Sequence, residues 1–160
     1  MARTRTVATG DTVRVEGLDE LRRELRRLDD KGLSDRLKDA NHKVAEIVVR
    51  RAQQRAAALG RMQAKAAGTL RPSRQAARAV VTLGRASVPF ALGAEFGAGR
   101  NIRSPGRNRG RLGLNQFSPW RGSGSGAGYF LWPGIRDSRE EIAETYYEEI
   151  DRITADAFPD

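Results

Sequence analysis

Residues Ala91–Gly97 read ALGAEFG, and residues Gly128–Asp137 read GYFLWPGIRD. The first places one carboxylate, Glu95, among small and aromatic residues. The second runs Tyr129, Phe130, Leu131 and Trp132 into Pro133-Gly134. Between them lies a segment made almost wholly of Gly, Arg, Ser and Asn, with nine glycines from Gly97 to Gly128. Glycine punctuation of that density predicts a loop rather than an element, and loops this long inside a compact domain are functional or disordered. Two apolar anchors therefore bracket one long polar excursion, the extended loop 97–128. Gln116–Arg121 (QFSPWR) is its one apolar patch, and Gly122–Gly128 (GSGSGAG) reads as a flexible linker, since no lysine follows to make a phosphate loop.

Outward from the anchors, period decides the elements. Thr12–Glu16 alternates around Val13 and Val15, a short strand. Gly17 opens a helix with Leu18, Leu21, Leu25 and Leu28 on one face, closed by Lys31-Gly32. Ser34 is placed to cap a second helix that runs to Leu59. Its apolar stripe is Leu37, Ala40, Val44, Ile47, Val48, Ala52, Ala56 and Leu59, and Gly60 terminates it. Arg61–Leu70 is ambiguous. Ala76–Leu83 reads as a strand, Gly84–Ser87 as a turn, and Val88–Phe96 as either a strand or a short helical turn. A last helix starts at Ser138, with Ser138 and Glu141 as a capping box, and buries Ile142, Tyr146, Ile150, Ile153 and Ala157. The expected fold is α+β: a small antiparallel sheet packed with two N-terminal helices and one C-terminal helix, in a single domain spanning 1–160.

Composition narrows the chemistry. The chain has no cysteine, which excludes disulfides, thiolate catalysis and cysteine-bound metals and fits a reducing cytosol. No apolar run reaches the length needed to span a bilayer, and no leader with an apolar centre follows Met1–Arg5, so no membrane partner is expected. Net charge is +9 and strongly divided. From Asp137 onward nine acids face only Arg139 and Arg152, giving −7, so the first 136 residues carry +16. Such polarity suits pairing between copies of the chain, basic body to acidic helix. Arginine dominance, with only four lysines among 29 basic residues, suits bidentate contacts at interfaces.

Catalytic groups are sparse. His42 is the single histidine, with no second ligand at metal spacing, and reads as a helix-surface residue. Glu95 is the one acid between Glu46 and Asp137 and has no partner acid or histidine near it in sequence. It reads as a structural carboxylate paired with arginine. The chain is not expected to be an enzyme or to hold a cofactor or a metal.

The two anchors, preceded by GTLRPS at Gly68–Ser73, resemble the tail-completion (head–tail joining) proteins of long-tailed bacteriophages. In that family a Val/Ala-Glu-Phe-Gly element follows a strand and a Phe-Leu-x-Pro-Ala element leads into the last helix. Here Glu95, Phe96 and Gly97 stand at the first, and Phe130, Leu131, Trp132 and Pro133 at the second, with Gly134 replacing the family's Ala. Val15–Leu21 is similar to the family's opening, and Gln116–Arg121 lies where the family often has an aromatic-proline element. The resemblance implies a structural virion protein of the neck, made in the host cytoplasm. It implies a six-fold homo-oligomeric ring between the head connector or stopper and the tail terminator or tail tube. Candidate ring contacts are Arg100, Arg103, Arg107, Arg109, Arg111, Trp120 and Arg121 in the loop, with Glu141, Glu144 and Glu148 on the acidic helix. The alternative is a basic accessory protein acting on DNA in the neck channel or in packaging. The loop has no aromatic residue between Gly97 and Gln116 for base stacking, which favours a protein-contacting arm over DNA.

Overall fold

A 29-residue helix, α1 (Lys31–Leu59), is the spine on which the following helix, the second hairpin and the two last helices pack. The computed structural model describes residues 6–9, 12–15, 31–98 and 117–157. Strands β1 (Thr6–Thr9) and β2 (Thr12–Val15) pair antiparallel. After α1 come α2 (Arg61–Ala67), the hairpin of β3 (Arg71–Ser73) and β4 (Val80–Thr82), and the short α3 (Ala91–Phe96). The chain closes with α4 (Leu131–Asp137) and α5 (Arg139–Ala157). The fold is α+β, with α1, α4 and α5 packed together. The leucine helix expected from Gly17 to Leu28 lies outside the described residues.

The stripe read on α1 is buried from Leu37 to Ala56, because an apolar residue every three or four positions gives a helix one face to hide. Leu59 departs from that stripe and is exposed: the helix has by then run past its partners. Ser34 does not cap α1, because Lys31, Gly32 and Leu33 ahead of it are already helical. Leu33 then extends the stripe, packing with Leu37 and Ala40 against Ile153.

Asn41 breaks the apolar pattern and is nonetheless buried. Its amide nitrogen donates to the carbonyls of Gln75 (2.8 Å) and Ala76 (3.0 Å), so no donor is stranded. Beside it Arg74 Nε donates to Asp39 at 2.6 Å, and that hydrogen bond holds the Asp39 carboxyl below its usual range. The turn between β3 and β4 is thereby tied to the spine. Strand pairing is shorter than the expected Ala76–Leu83, because only Val80–Thr82 finds a partner strand.

Helices α4 and α5 form one antiparallel rail along α1. Val44, Ile47 and Val48 pack on Ile142 and Tyr146, and a second set of contacts is electrostatic. Arg36 pairs with Asp156, Lys43 with Glu149, Arg50 and Arg51 with Glu141, and Arg55 with Asp137. Seven residues from Arg36 to Lys43 match seven back from Asp156 to Glu149. Eight from Lys43 to Arg51 match eight from Glu149 to Glu141, and four to Arg55 match four to Asp137. The ladder keeps one register from end to end.

Candidate functional site

The two anchors meet at the start of α4, and Glu95 joins them. Its side chain is completely buried at the end of α3. Oε2 accepts from the backbone N–H of Phe130 (3.1 Å) and Leu131 (2.9 Å), and Oε1 from that of Trp132 (3.0 Å). A helix begins with four N–H groups that have no intrahelical acceptor. In α4 these belong to Phe130, Leu131, Trp132 and position 133. The fourth is proline and has no N–H, so Glu95 satisfies every one that exists. The first helical bond, Gly134 N–H to Phe130 carbonyl, follows at 2.9 Å. The carboxylate also sits at the positive end of the helix dipole.

This corrects the expectation that Glu95 is paired with arginine: its partners are three backbone amides. A buried carboxylate needs compensation, and backbone donors supply it as well as a guanidinium would. The approach is close enough to demand glycine at 128. Gly128 has φ +75°, and a Cβ there would collide with Glu95 Oε1 and crowd the Trp132 side chain.

Around this joint the end of the polar excursion is tied down. Ala98 N–H donates to Ser118 carbonyl (3.0 Å), and Arg121 N–H to Phe96 carbonyl (2.7 Å). Gly97, with φ +73°, leaves no room for a side chain against Pro119. The Tyr129 hydroxyl donates to Pro119 carbonyl at 2.6 Å, and the Arg121 guanidinium lies 4.6 Å from the Tyr129 ring centre. Gly122–Gly128 is therefore no free linker. Ala127 is buried, its N–H bonds Gly124 carbonyl, and Arg136 donates to its carbonyl at 2.8 Å.

The candidate residues fall in three groups. Glu95, Gly97, Phe130 and Pro133 are buried in the joint, Phe130 as the largest fully buried side chain, and Phe96 borders it half-buried. Trp132 is only half-buried; its neighbour Phe130 fills the core position, among Ala52, Ala56, Leu70, Val88 and Ala91. Trp120 is 60% exposed, held between Gly122 and the ring of Phe96 at 6.3 Å. Glu144 and Glu148 are exposed on α5 and make no ion pair among the described residues. Glu141 does not belong with them, because Arg50 and Arg51 engage it inside the chain. Nor does Ser138 form a capping box with it: the Ser138 hydroxyl donates backwards to the Gly134 carbonyl, closing α4. Arg100, Arg103, Arg107, Arg109 and Arg111 lie outside the described residues.

Sequence reading missed Asn41, and it placed Tyr129 in an anchor and Phe117 in an apolar patch without assigning either a contact. Phe117 lies against Gly93, where any Cβ would strike its ring. The glycine inside ALGAEF was the available signal. Among the described residues no His, Asp and Glu side chains cluster to hold a metal, and no helix is long and apolar enough to cross a membrane. No family model, no characterised protein and no solved structure matches the chain.

Proposed function

We propose that this chain is a structural protein of the bacteriophage neck. It completes the tail as a ring of copies, six by the family's habit, between the head connector and the tail. One observation carries the reading: the two elements on which the resemblance rests, Glu95-Phe96-Gly97 and Phe130–Gly134, are a single structural unit joined by the Glu95 carboxylate. Residues that recur together in a motif need a shared reason, and helix capping across the fold supplies one. The same bonds argue for assembly rather than catalysis. Both oxygens of Glu95, a fully buried acid, are engaged by backbone amides, so this carboxylate is not poised as a base.

The test is particle production by the encoding phage with the gene deleted. Filled heads and separate tails are expected without the chain, with joining restored by adding the protein. Micrographs of complete particles should show it as a symmetric ring at the junction. Normal particles from the deletion, or complete particles lacking the chain, would end the reading.

A further inference from the structure

The described acids divide cleanly into those used inside the chain and those left over. Glu141, Glu149, Asp137 and Asp156 are matched to α1, and Asp39 to Arg74. Glu140, Glu144, Glu148 and Asp151 are all exposed and have no ion pair among the described residues. They recur at four, four and three residues along α5, so they form one stripe. That stripe lies opposite the face made by Ile142, Tyr146 and Ile153.

The cations divide in the same way. Every basic residue of α1 from Arg36 to Arg55 has an acidic partner. Beyond α1 the situation reverses, because from Val48 onward to Arg136 the sequence holds one acid, Glu95, and it is buried. Arg71 sits on β3 opposite Thr82, on the hairpin face away from the core-facing Val81. Arg78 and Arg85 flank β4. All three are exposed and have no ion pair among the described residues. The hairpin and α5 turn their inner faces to the same cluster, Val81 packing beside Ile142, so their charged outer faces point away from it.

We infer that the acidic outer face of α5 docks on the arginine-bearing outer face of the β3–β4 hairpin of a second copy of this chain. The two patches are complementary in sign, and neither can neutralise the other within one molecule. Repeated head to tail, a contact between two different patches builds a ring or a filament. The occupant is thus fixed by charge complementarity. The inference does not depend on the neck reading, since it concerns only how copies meet.

The chain lacks cysteine, which makes the test direct. Glu144→Cys and Arg71→Cys are introduced together and the protein is treated with a short bis-maleimide at low salt. A ladder of dimers, trimers and higher species is expected, while a mixture of the two single-cysteine proteins should stop at dimers. Yield should fall about tenfold at high salt, as screened pairs require. Arg78→Glu with Arg85→Glu in the same double-cysteine protein should lower it similarly, and adding Glu140→Lys with Glu148→Lys should restore it. Both positions are exposed, and circular dichroism checks that each variant folds. Self-linked dimers of the Glu144→Cys protein alone would mean a symmetric contact and overturn the inference. So would a yield no higher than that of Ala58→Cys paired with Glu144→Cys, together with monomeric sedimentation of the unmodified chain at low salt. Loss of particle joining with the ladder intact, or the reverse, separates this contact from the neck assignment.

Discussion

Glu95 is where a single side chain has the widest reach. It closes the N-terminus of a helix 35 to 37 residues further on, so its removal strands three amides, that of Phe130 buried and those of Leu131 and Trp132 partly so. Glu95→Ala should destabilise the fold by about 3 kcal/mol or more, since each buried donor left unpaired costs roughly 1–3 kcal/mol. Glu95→Gln keeps one carbonyl oxygen and should cost distinctly less. Urea unfolding of both variants checks the order, and equal losses would mean that size rather than capping matters there. Phe130 and Trp132 make a second comparison. Phe130→Ala empties a fully buried position and should cost roughly 3–5 kcal/mol. The half-buried Trp132→Ala should cost less, about 1–2 kcal/mol. A thermal melt more sensitive to Trp132 would contradict the packing described.

At the scale of elements, the pairing of α1 with α4–α5 is specified twice, by apolar stripes and by the flanking charge ladder. Exposed pairs are worth only about 0–1 kcal/mol each, so the ladder sets register more than stability. Glu141 is the exception to a uniform acidic face. Glu141→Lys would set a third cation between Arg50 and Arg51 and should lower the melting temperature by several degrees, as about 1 kcal/mol does in a domain of this size. Glu144→Lys or Glu148→Lys should leave the melt unchanged. Identical behaviour of the three would show that Glu141 is not engaged in solution. The helices also approach closely at one point: a Cβ on Gly134 would stand 3.0 Å from the Ala52 backbone nitrogen. Gly134→Ala, the residue the tail-completion family carries there, should push α4 away from α1 and destabilise it by roughly 1–3 kcal/mol. Denaturant midpoints measure this, and a stabilised Ala variant would mean that the helices can separate without penalty.

For the molecule as a whole, charge is distributed by use. Among the described acids of the C-terminal segment, Asp137, Glu141, Glu149 and Asp156 are matched to the spine, and Glu140, Glu144, Glu148 and Asp151 form the outer stripe of α5. Removing residues 137–160 would therefore uncover the apolar face of α1 that Ile142, Tyr146 and Ile153 cover, and leave its arginines unmatched. The truncated chain should lose cooperative unfolding by circular dichroism. A truncated chain that still melts cooperatively would show that α1 has enough partners in α2, β3 and β4.

The sequence by itself determined the two long helices and their buried faces. A period of 3.6 residues is a local property, and Val44, Ile47 and Val48 or Ile142 and Tyr146 announce it without reference to anything distant. It also marked both anchors as special, through a lone acid among small residues and a proline set just after three apolar ones. Only the tertiary structure decided what the anchors do. The donors that Glu95 needs belong to a backbone brought in from the far side of the polar excursion, and backbone amides carry no sequence signature. The same holds for Asn41, whose acceptors are carbonyls beyond β3, and for Glu141, which looked like any other acid of the helix until α1 placed two arginines beside it. Pattern fixes which face a helix hides, but which polar group meets which is settled by the packing that brings the elements together.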